Sequence, residues 1–83
     1  MNEDDIKKFI TKKVQRYADW TIGITENPKN RKGDHGNPKR WHKLRASSES
    51  VARRIEKHFI SKGMKGGTGG GKDPNYVYFF KNE

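Results

Sequence analysis

The stretch Thr21 to His35, TIGITENPKNRKGDH, sets an arginine and a histidine four residues apart, at Arg31 and His35, behind an Asn27-Pro28 pair. Four residues make about one helical turn, so the two side chains share a face. A guanidinium offers a planar fork of donors suited to phosphate, and an imidazole exchanges protons near neutral pH. Together they can converge on a single phosphate. An isolated arginine in so basic a chain also suits a solvated helix surface. Glu56, in VARRIEKHF, borders the apolar positions Ala52 and Phe59, which predicts a partly buried carboxylate aimed inward. Held among arginines and lysines, it is expected to stay ionised and can ligate one divalent cation such as magnesium. The plainer alternative is a surface acid paired with Arg53 or Lys57.

Other residues point away from chemistry. The run GGTGGGKD, Gly66 to Asp73, approaches the phosphate-cradling pattern GxxxxGK[ST]. Asp73 replaces the hydroxyl that should bind magnesium, however, and the order is helix, loop, strand instead of strand, loop, helix. A flexible Gly-rich loop over about 63–75 is expected, with Lys65 and Lys72 placed to touch phosphate. His35, His42 and His58 are scattered, with no second ligand at metal spacing. Ser47, Ser48 and Ser50 read as helix caps before they read as nucleophiles. With no cysteine in the chain, disulfides, thiolate zinc sites and thiol nucleophiles are excluded.

These side chains belong to a chain of 83 residues, 29% hydrophobic and 35% charged. That supports one small domain with a modest core. Nineteen Lys and Arg against ten Asp and Glu leave a formal charge of +9. Such a field attracts polyanions, and nucleic acid, DNA in the first place, is the expected partner. The signs are segregated: MNEDD is acidic, whereas KNRKGDHGNPKRWHKLR and RRIEKHFISKGMK carry most of the positive charge. Segregation predicts a basic binding face, built from Arg40, Lys43, Arg45, Arg53, Arg54 and Lys57. No apolar run suits a signal peptide or a membrane span, so a soluble cytoplasmic protein is expected.

The elements that must position these residues follow from periodicity. Ile6, Phe9, Ile10, Val14 and Tyr17 form an apolar stripe, which predicts an N-terminal helix over about 3–18, with Asn2 and the acids after it at its start. WTIGIT reads as a strand, with Gly23 where a backbone or ligand comes close. Asn27-Pro28 opens a short helix ending near Gly33 or Gly36. GNPKR is a turn, and RWHKLRA a second strand with one wet face. SSESVARRIEKHFISKG is a helix capped by Ser47 or Ser48 and stopped by Gly63. YVYFFKN is a third strand. The expected fold is α/β (α+β): a small three-stranded, mainly antiparallel sheet flanked by three helices. Its core would draw on Ile6, Phe9, Ile10, Val14, Ile22, Ile24, Leu44, Val51, Ile55, Phe59, Val77 and Phe79. Core packing is the expected fate of Trp41, with stacking on an unpaired base as the alternative.

The stretch from Ile22 to His35 resembles the second motif of the GIY-YIG nuclease family: a YIG strand, a polar turn, then an Arg and a His or Tyr on the next helix. The family's catalytic Glu lies on a later helix, where Glu56 suits the role. The family opens with a GIY strand of the form G-I-Y-x-(apolar)-x-N. Tyr76 to Asn82 is similar to it, with Tyr78 and Asn82 at the matching positions. The resemblance therefore implies a circularly permuted relative, whose last strand pairs beside TIGIT. It implies a metal-dependent endonuclease in which Glu56 holds magnesium, Arg31 neutralises the scissile phosphate, and Tyr78 with His35 positions or deprotonates water. Thr21 stands where the second Tyr belongs, and the Asn that normally follows the Glu helix has no clear counterpart. Two other readings stay open: a non-catalytic basic nucleic-acid-binding module, and a small adaptor that docks an acidic protein within a larger complex.

Overall fold

In this computed structural model, the described residues are 1–66 and 74–82. They form a small α+β fold with helices α1 (Glu3–Lys13), α2 (Pro28–Asp34) and α3 (Glu49–Ser61). The strands are β1 (Trp20–Thr25), β2 (Trp41–Arg45), β3 (Lys65–Gly66) and β4 (Tyr76–Lys81). The sheet is mixed and runs β2-β4-β1-β3, with β4 antiparallel to both of its neighbours and β3 parallel to β1. Tyr76 to Lys81 thus pairs directly beside Trp20 to Thr25.

Local chemistry accounts for the helix ends. The Asn2 side chain accepts from the Asp5 N–H at 2.8 Å, Asn27 from the Asn30 N–H at 3.1 Å, and Ser48 from the Val51 N–H at 3.2 Å. Each satisfies an amide that the first turn leaves unpaired. Beyond α3, Gly63 has φ +119°, a conformation that favours glycine, and the turn closes with the Met64 N–H on the Phe59 carbonyl.

Two elements differ from expectation. The first helix stops at Lys13, not near residue 18. Val14 turns extended, and Tyr17–Asp19 form a single 3-10 turn that delivers Trp20 into β1. The apolar stripe still reaches the interior. Val14 is buried, and the Tyr17 ring lies 5.9 Å from that of Phe59. Tertiary packing here overrides the helical period. The second difference is β3, a two-residue strand where only loop was expected. It pairs Lys65 and Gly66 with Thr21 and Ile22, giving the outer edge of β1 backbone partners that carry no side-chain pattern.

The helices divide between the two faces of the sheet. Trp20, Ile22, Ile24, Val77 and Phe79 point to the face covered by α1 and α3, where they meet Ile6, Ile10, Ile55 and Phe59 in the main core. Phe9 and Leu44 are only half-buried against this core. Trp20, Ala46, Ala52 and Met64 join it instead, while Trp41 does not. The opposite face carries Thr21, Gly23, Tyr78, Phe80, Trp41 and Lys43, since strand side chains alternate. His35, which ends α2, packs on this second face. No helix among the described residues is long and apolar enough to cross a membrane.

Candidate functional site

The site is built on the second face. Tyr78 sits in the middle strand of the β2-β4-β1 trio, directly opposite Gly23 on one side and Lys43 on the other. The missing side chain of Gly23 leaves the room that the phenol ring fills. Trp41 stacks on Tyr78 with centroids 4.8 Å apart and planes 14° from parallel, and Phe80 extends the stack. The Tyr78 hydroxyl lies 3.0 Å from His35 Nε2. His35 is held in turn by its N–H on the Arg31 carbonyl and by its ring on Phe80, 4.9 Å between centroids.

Arg31 stands one turn before His35, as the spacing requires. Its side chain is 22% exposed and reaches Asp34 Oδ2 at 3.7 Å, a loose pair that leaves most donors of the fork unused. With Thr25, Glu26, Asn27, Asn30 and Asp34 it lines a groove of about 210 Å³. Glu56 belongs to α3, on the other helical layer, and is half-buried. Its charge, like those of Arg31 and Asp34, is felt at the Tyr78 hydroxyl, though none of the three bonds to it among the described residues. Arg31, His35 and Tyr78 thus share the second face, while Glu56, on α3, influences the phenol only through its charge.

Burial sets the protonation states. It pushes the Tyr78 phenol above its ordinary value; Arg31 pulls it back in part, and Glu56 and Asp34 push it further up. His35 is driven below the ordinary imidazole value by burial and then by the Arg31 charge, against the opposing pull of Asp34. A neutral phenol beside a neutral imidazole follows, with the Tyr78 O–H free to donate to Nε2. Glu56 is partly buried, as expected, and that burial sets its shift. Arg53 and Lys57 do favour its anion, but desolvation outweighs them and its carboxyl is raised. Glu56 also forms no ion pair among the described residues.

No cluster of three or more His, Asp or Glu that could hold a metal occurs among the described residues. Magnesium on phosphate substrates often takes only one or two carboxylates, completing its shell with water and phosphate oxygens. Glu56 fits that pattern, because a desolvated, unpaired carboxylate gains from a cation.

The basic residues do not gather on one face. Lys43 and Arg45 are exposed on the second face, opposite Tyr78 and Tyr76. Arg40, just before them, lines a basic hollow of about 140 Å³ with Lys13, Arg16 and Lys81. Lys65 lines a larger cavity of about 490 Å³ with His35, Lys39, Phe80, Lys81 and Asn82. Arg53 and Arg54 lie on α3 and are engaged, with Glu49 at 2.8 Å and with Glu3 at 2.9 Å. Those pairs tie them to helix surfaces, and Lys57 is exposed on the same helix. Lys72 and most of the Gly-rich run lie outside the described residues.

Three features escape a reading of single positions. The aromatic wall of Trp41, Tyr78 and Phe80 was hidden because its members come from two strands; the alternation within WHKLR and YVYFF was the available signal. Asp34 enters the site only through the turn of α2. Finally, the Thr21 hydroxyl donates to Asn82 Oδ1, joining β1 to the residue that follows β4. Comparison with protein-family models, with curated proteins and with solved structures finds no match for this chain.

Proposed function

We propose that this chain is a divergent, circularly permuted relative of the GIY-YIG nucleases that binds nucleic acid and hydrolyses its phosphodiester backbone. One observation carries the reading: the Tyr78 hydroxyl 3.0 Å from His35 Nε2, with Arg31 and Glu56 both acting on it. The formal charge of +9 supplies the attraction for a polyanion.

Arg31, in its groove, receives the scissile phosphate and offsets the negative charge that builds on its oxygens. The Tyr78 oxygen takes a proton from the attacking water as its own proton passes to neutral His35. The water oxygen bonds to phosphorus, the bond to the leaving oxygen breaks, and solvent protonates that oxygen. A raised phenol pKa keeps Tyr78 protonated as a positioning and relay group, and the lowered imidazole pKa keeps His35 unprotonated and available to accept. Glu56 would hold a magnesium-like ion, whose chemistry when bound is to stabilise charge on the leaving oxygen.

A second reading rests on a specific observation. Tyr78 has no exposed surface, and the Thr21 hydroxyl is committed to Asn82. Both favour a basic binding module without catalysis. Incubation with mixed nucleic acids, with and without magnesium or manganese, separates the two. Metal-dependent cleavage that Glu56→Gln abolishes while binding persists supports the nuclease; binding with no cleavage in any metal selects the module. Neither binding nor cleavage at low salt removes both.

A further inference from the structure

We infer that the open part of the second sheet face, formed by β2 and β4, binds single-stranded nucleic acid, with an unpaired base on Trp41 and phosphates on Lys43 and Arg45. The inference rests on the nucleic-acid reading above and names the substrate class. It starts from the register. Trp41 faces Phe80, Lys43 faces Tyr78 and Arg45 faces Tyr76, so six side chains stand on one face in three rungs. None of the six is a carboxylate, although the chain carries ten Asp and Glu. Lys43 and Arg45 are exposed, and Trp41 and Tyr76 are half-buried. The Arg45 guanidinium lies 6.0 Å from the centre of the Tyr76 ring, so cation and aromatic surface are presented together.

Two further features select the ligand. Among the described residues, α2 meets the Phe80 and Tyr78 end of this face through His35, and β2 is the sheet's edge strand, its backbone met at Arg45 by the Met1 ammonium at 3.2 Å. A flexible chain can lie along this face, with cations repeating every second residue, about 6.6–6.8 Å apart. Trp41 is also an unusual tryptophan here. It lies outside the main core, stacked on Tyr78 and Phe80 at 4.8 and 5.6 Å, which holds its ring flat and preorganised. A duplex hides its base faces and would use only the phosphate contacts, whereas a single strand uses the ring as well. Because Lys43 stands opposite Tyr78, a strand bound here leads directly to the Tyr78–His35 pair.

The test measures binding of a labelled 12-nucleotide single strand and of the corresponding duplex across a salt series. The full chain is compared with Trp41→Ala, Trp41→Phe and the double variant Lys43→Ala/Arg45→Ala. Loss of a stacking ring should weaken single-strand binding by about 5- to 150-fold, leave duplex binding unchanged, and be largely rescued in Trp41→Phe. Removing two phosphate contacts should lower the single-strand salt slope by about 1.4. Thermal melting reports on folding of every variant, and duplex binding on that of the two Trp41 variants. If duplex binds as tightly as single strand and Trp41→Ala affects neither, the inference is overturned while nucleic-acid binding stands. If no nucleic acid binds at low salt, the broader reading fails with it.

Discussion

Tyr78 lies across Gly23 so closely that a Cβ placed on the glycine would sit 2.3 Å from the phenolic oxygen and 2.4 Å from the ring carbon that bears it. The two residues are a facing pair in the β1–β4 ladder, and the hydroxyl that approaches Gly23 is the one that meets His35. Glycine is therefore a condition of the phenol's position.

Gly23→Ala should displace a ring that is fully buried and packed against Trp41 and Phe80. Overpacking of this kind costs about 1–3 kcal/mol. Thermal melting should show the loss, and any cleavage should fall about as far as in Tyr78→Phe. Wild-type stability with wild-type cleavage in Gly23→Ala would show that the contact is unimportant.

Glu56→Gln should stabilise the fold at neutral pH. The folded carboxyl has its pKa raised by burial, so folding favours the protonated form. Stability therefore falls as pH rises from the unfolded value through the folded one, and the penalty persists above both. A neutral amide escapes it, and Tm near pH 7 should rise by a few degrees while metal-dependent cleavage disappears. A lower Tm in Glu56→Gln would show that the carboxylate is held by contacts that favour its charge.

The acid limb of the pH profile should report His35. Its pKa lies below the ordinary 6.5 through burial first and Arg31 second, with Asp34 opposing. Cleavage should rise with pH through that lowered value, as the imidazole becomes neutral. Arg31→Gln removes a charge that disfavours the cation, so the limb should move to higher pH, and Asp34→Asn should move it lower. Profiles of kcat/KM separate these shifts from the loss in rate that Arg31→Gln also brings. Limbs that stay in place in both variants would exclude His35 as the proton acceptor.

Thr21→Val tests the pair at the other end of the face. The Asn82 Nδ2 group is buried with no partner among the described residues, and Thr21 supplies the bond to its oxygen. Removing the hydroxyl leaves that amide without either contact, at a cost of about 1–3 kcal/mol. For a domain this size, each kcal/mol lowers Tm by about 4–8 °C. An unchanged Tm would mean that solvent serves Asn82 equally well.

The sequence alone determined what depends on near neighbours. The caps at Asn2, Asn27 and Ser48 and the stop at Gly63 act within a turn or two, and each helix begins or ends where those residues demand. The pairing of Arg31 with His35 on one face follows from helical pitch, and the excess of positive charge from composition. The end of α1, the strand β3 and the meeting of Tyr78 with His35 were decided by tertiary structure. Val14 leaves the helix because the core can take it extended, β3 exists because the edge of β1 needs backbone partners, and the charge of Glu56 reaches Tyr78 only once α3 lies across the sheet. The same distinction explains the basic residues. Their number is a property of the chain, but α3 ties Arg53 and Arg54 to acids, while the β2–β4 register sets Lys43 and Arg45 beside aromatic rings. Spacing along a polymer fixes local neighbours; long-range register fixes which local groups share a surface.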